Sequence, residues 1–200
     1  PVSVKSLQCS VQRHFNLGEP AVSTFYVCGA CDSTCSLDSH RRTKVIIPSL
    51  SEQIILLLSQ HASSIYEYQS RIAVSLCSDI LNSKYAITKC LPKSKTRTLE
   101  LHLLMCADGA KYIKTSPLSI WPVQAQALNM PPLLRQTFWN TLLVAVVESN
   151  NKPDFELIFP HLFSVLPRTI EFRGISVRVH FSFFTADLPA MSSIFGLTQF

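Results

Sequence analysis

The chain has 200 residues, of which 47% are hydrophobic and 16% charged, and its mean hydropathy is +0.22. Eighteen Lys and Arg against 13 Asp and Glu leave a net charge of +5. This composition excludes a disordered, coiled-coil or collagen-like chain, suffices for a sizeable core without disulfide staples, and admits a polyanionic partner without requiring one. The first residue is Pro1 rather than Met, and Phe200 falls within an apolar stretch, so the sequence reads as a fragment of a longer chain.

Residues 1–43 are rich in Cys, His and Ser and poor in apolar periodicity, which predicts a small loop-rich module. Four of the seven cysteines lie here: Cys9, Cys28, Cys31 and Cys35. A secreted disulfide domain would spread its pairs along the chain. Clustering at one end with a C-x-x-C step favours a reduced compartment and a zinc knuckle instead. Cys28 and Cys31 supply that knuckle, a tight turn that brings two thiolates to one ion. Cys9 and His14 are the expected second pair, with Cys35 and His40 as rivals. Free thiols in a surface loop are the plainer alternative.

Val45–Ile47 is a short β-type run stopped by Pro48. Ser49 or Ser51 then caps a helix expected over 51–69, with Ile54, Leu57, Leu58, His61 and Ile65 on one face. A second short helix is expected over 71–82. Residues 83–98 change character. Lys84, Lys89, Lys93, Lys95 and Arg97 occur with no acid between Asp79 and Glu100, and Pro92 breaks any periodicity. This is a basic linker, read either as a solvated connection or as a loop that contacts DNA phosphates. The division of the chain is therefore 1–43, a helical segment and linker over 44–98, and a core over 99–200.

From residue 99 the pattern becomes α/β. Strands are expected at 99–107, at 119–127 with Pro122 as an interruption, within 137–147, and at 175–186. A helix is expected over about 154–166, with Phe155, Ile158, Leu162 and Val165 on one side, and another from about Pro189. The longest apolar runs, Ile54–Leu58 and Leu142–Val147, fall far short of the roughly 20 residues that span a bilayer. The N-terminus has no apolar signal-peptide core.

Asp108 and Asp187 each stand where an apolar strand runs out. If the strands at 99–107 and 175–186 are parallel neighbours, the two carboxylates converge at one end. Such a pair raises a pKa or binds a cation, and carboxylate oxygens suit Mg²⁺ or Mn²⁺. Two ions about 4 Å apart activate a nucleophile and steady the leaving oxygen in phosphodiester chemistry. From spacing alone, a turn at Asp108-Gly109 and a helix cap at Asp187 are the commoner explanation.

Four blocks in order add to that reading. They are Asp108-Gly109; Trp121-Pro122-Val123; Leu128 to Pro132 (LNMPP) with Arg135; and Ala186 to Ala190 (ADLPA). Together they resemble the transposases of CACTA-type DNA transposons and their Mirage and Chapaev relatives, over about 99–195. The resemblance implies an RNase H-like mixed sheet with flanking helices, preceded by a small Cys-rich zinc-ribbon-like module. It also implies an Asp-Asp-Glu metal site for DNA strand cleavage and transfer, DNA as partner and a nuclear location. Carried over by position, Asp108 is the first catalytic Asp and Asp187 the second, both toward Mg²⁺ or Mn²⁺. A homo-oligomer is compatible with a full-length protein of this kind, and a membrane partner is not expected.

One departure bears on activity. The third acid should follow Asp187 on a later helix, yet Glu148, Asp154, Glu156 and Glu171 all precede it. The alternative function is thus an inactive, domesticated or decayed relative that binds DNA or protein. An unrelated α/β domain with structural aspartates is the third class. Trp121 reads as a packing residue, Arg135 as structurally paired, and His102 and His180 as packed or satisfied strand histidines. Cys77, Cys90 and Cys106 read as small buried hydrophobes.

Overall fold

Alternation of apolar and polar residues builds most of the sheet, and the long i, i+3, i+4 pattern builds its main helix. The computed structural model describes residues 22–28, 33–35, 42–72, 80, 83, 98–111 and 117–186. Its strands are β1 (Ser23–Cys28), β2 (Ser33–Cys35), β3 (Arg42–Ile47), β4 (Thr98–Ala107), β5 (Ala110–Lys111), β6 (Ser119–Ala127), β7 (Thr141–Ser149), β8 (Thr169–Phe172) and β9 (Ile175–Thr185). Its helices are α1 (Leu50–Ile72), the short α2 (Pro132–Arg135) and α3 (Phe155–Val165), with a 3₁₀ turn at Phe138–Asn140.

All nine strands join one mixed sheet in the order β2-β1-β3-β7-β6-β4-β9-β8, and β5 pairs with β6. Every described pairing is antiparallel except β4 with β9. A parallel pair needs a crossover. Here the chain passes out through β6 and β7 and returns by way of α3. The result is a mixed α/β sheet with flanking helices.

One set of alternate strand residues, including Leu101, Leu103, Met105, Val123 and Ala125, is fully buried in one cluster. Ile54, Leu57, Leu58 and Ile65 of α1 and Phe155, Ile158 and Leu162 of α3 join the same cluster. Val165, expected on the buried side of α3, is half exposed at the last turn. Asp154 caps α3, accepting from the backbone N–H groups of Glu156 (3.1 Å) and Leu157 (3.3 Å). The β6–β7 ladder shifts register between Val123 and Gln124, which makes Val144 the extra residue. That is why Val144 and Ala145 are both buried despite being adjacent.

Several elements differ from expectation. The boundary expected at 43/44 falls inside β3, and β1 to β3 extend the main sheet through the β3–β7 pairing. Phe25 and Val27 alternate into the core, a pattern too short to stand out in a Cys- and Ser-rich context. The third strand begins at Thr141, because Phe138–Asn140 form the 3₁₀ turn. β8 was not expected. It is a four-residue strand closed onto β9 by Arg173 (φ 49°) and Gly174 (φ 74°). Positive φ at both central residues is the two-residue hairpin turn that matches strand twist. The helix expected from Pro189 lies outside the described residues, as does nearly all of the one expected over 71–82, where α1 runs on to Ile72.

Candidate functional site

Asp108 occupies a break in the sheet. Ala107 pairs with Val123, and Ala110 pairs with Ile120, so β4 and β5 keep one register along β6. Asp108 and Gly109 therefore fall opposite Pro122 and Trp121, where the ladder is interrupted. Pro122 brings no N–H to that interruption, although it stays in β6 and pairs with Val146 of β7. Two short sequence blocks, Asp-Gly and Trp-Pro, thus form one structural unit across two strands.

Gly109 is needed there because Trp121 is against it. A Cβ at position 109 would lie 2.6 Å from Trp121 Cε2 and Cζ2 and 2.7 Å from Cη2. Real carbons do not approach so closely. The indole is backed by Phe155, the fully buried first residue of α3, edge to face at 5.7 Å and 69°. Asp108 itself is exposed.

Cys106 lies two residues before Asp108 on the same strand and is partly exposed. Its thiol is pushed up from the ordinary range, first by burial and then by the Asp108 charge, against a smaller lowering by a hydrogen bond from the Gln124 backbone. On the other side of β4, the parallel register runs to Cys106 opposite Thr185, the last residue of β9.

Asp187, Lys84, Lys89, Lys93, Lys95, Arg97, Cys9, His14, Cys31 and His40 lie outside the described residues. Cys28 and Cys35 end β1 and β2, where Cys28 is level with Ser33 and Cys35 with Tyr26. Among the described residues, no group of three or more His, Cys, Asp or Glu is placed to hold a metal ion. Asp108 is a hard oxygen donor of the kind Mg²⁺ and Mn²⁺ take, and it supplies one ligand where such an ion needs several oxygens. Glu148 is engaged by Lys44 at 3.7 Å, and Asp154 by the α3 cap.

A polar cluster on β4 and β9 joins residues that the sequence shows only singly. Glu100 accepts from His180 Nε2 and from Arg178 Nη1 at 3.3 Å. The His180 ring stacks on His102 at 4.8 Å and 15°. His102, only 3% exposed, shares a 2.8 Å hydrogen bond between Nδ1 and Ser182 Oγ. Ser182 is the extra residue where the β4–β9 register shifts, and it lies two positions beyond His180, on the same face of β9. The signal in the sequence was the pair Glu100 and His102 at alternate positions of an otherwise apolar strand. His180 is paired with Glu100, and His102 is packed in the strand with Nδ1 hydrogen-bonded. Arg135 is buried in the last turn of α2, and Trp121 is the packing residue expected of it.

No helix among the described residues is long and apolar enough to cross a membrane. A family model described as a protein of unknown function, DUF1258, matches residues 10–200. The chain belongs to that family, whose description carries no activity. No curated protein matches the chain.

Proposed function

We propose that this DUF1258 chain is the core of a transposase-like, metal-dependent DNA strand-transfer protein, with Asp108 and Asp187 as the carboxylates for Mg²⁺ or Mn²⁺. The observation that carries the reading is the parallel pairing of β4 with β9, level to Cys106 and Thr185. That pairing is the condition under which two strand-end aspartates meet. The order β4, β6, β7, α3 and β9, with the short β5 and β8 added to it, is compatible with the RNase H-like fold that the resemblance implies. The ladder break at Asp108, opposite Pro122, frees that position from the sheet.

When bound, the ions would supply a polarised water and charge neutralisation at a phosphodiester. The chain's own part is to hold Asp108 at the end of a rigid strand. The cationic segment with Lys84, Lys89, Lys93, Lys95 and Arg97 fits the DNA backbone, a contact without sequence information. Cys28 and Cys31, with Cys9 and His14 or with Cys35 and His40, remain the ligands proposed for zinc. DNA as substrate makes the nucleus the place of action.

A second reading is favoured by the acids. Glu148 is engaged by Lys44 and Asp154 by the α3 cap, so neither is free to join Asp108. On that reading the chain binds metal and DNA without cutting. Electron paramagnetic resonance of Mn²⁺ bound to the full chain, with nicking of supercoiled plasmid, tests both. Saturable Mn²⁺ binding weakened about tenfold or more by Asp108→Asn and by Asp187→Asn supports the metal pair. Nicking lost in both variants identifies the enzyme, and DNA binding without nicking identifies the inactive relative. Mn²⁺ binding absent, or unchanged in both variants, overturns the proposal.

A further inference from the structure

We infer that Trp121 is a positioning residue for Asp108, acting through Gly109; this rests on the reading of Asp108 as a metal-binding carboxylate. Asp154 caps α3 and fixes its first turn. Phe155 in that turn is fully buried and sets its ring edge to face with Trp121. The benzo edge of Trp121 then covers the Cα of Gly109, so closely that no side chain fits between them. Asp108 is the next residue, at the one place where β4 and β5 lose their ladder on β6. Backbone hydrogen bonds fix the strands on both sides of the break, and the indole fixes the break itself.

The indole is held by packing rather than by a polar anchor. Its Nε1 is buried, and no hydrogen-bond partner for it is present among the described residues. A buried unpaired donor is costly, so the ring orientation is the one that packing against Gly109 and Phe155 requires. Strand alternation then sends Asp108 to the face opposite Gly109, the face that Cys106 shares. The coupling of the Cys106 thiol to the Asp108 charge agrees with this placement.

The test uses the full chain with Trp139→Phe, which leaves Trp121 as its single indole, since the chain has two Trp. In this background Gly109→Ala, Trp121→Phe and the double variant are compared by Mn²⁺ binding below the unfolding range and by Tm. Either single change is expected to weaken Mn²⁺ binding about tenfold, and Gly109→Ala to lower Tm by about 5 °C. It is also expected to red-shift the Trp121 emission. Phe lacks the indole's Cζ2 and Cη2, two of the three atoms that crowd position 109, and its smaller ring tilts away from the remaining contact, so the double variant accommodates the added methyl. It is expected to regain Mn²⁺ affinity to within about threefold of the parent. Folded single variants that bind Mn²⁺ like the parent would make Trp121 merely structural and overturn the inference, as would a double variant no better than Gly109→Ala. If the parent binds no Mn²⁺, the metal reading fails by itself. The lock is then judged without metal: a Tm cost of Gly109→Ala that persists in full with Phe at position 121 overturns it too.

Discussion

Asp108 is an ordinary residue in composition and an unusual one in position. The sequence shows it after an apolar run and before a glycine. It does not show that the glycine lies under Trp121, because the two are 12 residues apart and meet only once β6 pairs with β4. Pro122 looked like an interruption of its strand. It is instead accommodated at the point where β6 has no ladder partner on the β4 side. Cys106, expected as a buried hydrophobe, is only partly buried. Its thiol is raised by burial first and the Asp108 carboxylate second. Removing a negative charge favours the thiolate, so Asp108→Asn should lower the Cys106 pKa. At pH 8 the Cys106 peptide should then be alkylated by iodoacetamide faster than in the parent, as followed by mass spectrometry. An unchanged rate would mean that the two side chains do not face each other.

At the scale of elements, α1 does more than cover the sheet. β3 leaves β7 after the pair Ile46 and Val146. Three residues on, the Gln53 side chain takes over the edge. Its amide donates to Leu143 O at 2.9 Å and accepts from Leu143 N–H at 2.8 Å, as a further strand would. Gln53→Ala should cost about 2–3 kcal/mol in urea unfolding, because two backbone groups lose partners. Gln53→Glu should recover part of that by keeping the acceptor. A loss under about 0.5 kcal/mol for the Ala variant, the level of an ordinary surface change, would show that water replaces the amide at no cost. The helical period of α1 was readable from the sequence, since Ile54, Leu57, Leu58 and Ile65 are all buried. The role of Gln53 was not, because its partner lies 90 residues away. β8 stayed unread for another reason. Four residues are too few for periodicity, and its turn uses Arg173 in a positive-φ conformation that Arg seldom takes.

For the whole molecule, the decisive fact is that residues before 98 complete the core of residues after it. Val45, Ile47, Ile54 and Leu58 pack in the same cluster as Leu101, Val123 and Phe155. A chain cut to 98–200 should therefore bare the β7 edge and the buried face of the sheet, and show no cooperative thermal unfolding by circular dichroism. A sharp transition in that piece would restore the division expected at residue 98. Local sequence was enough for what depends on local physics. The helices α1 and α3 and the strands β4, β6 and β9 follow from apolar period, caps and proline stops, and their bounds differ from expectation by only a few residues. The α/β class followed from their order. What only the tertiary structure decided is which strands are neighbours. The parallel choice of β4 for β9, the joining of β3 to β7 and the meeting of Gly109 with Trp121 all depend on side chains burying one shared face. Burial is a sum over distant residues, and no local window of the sequence contains that sum.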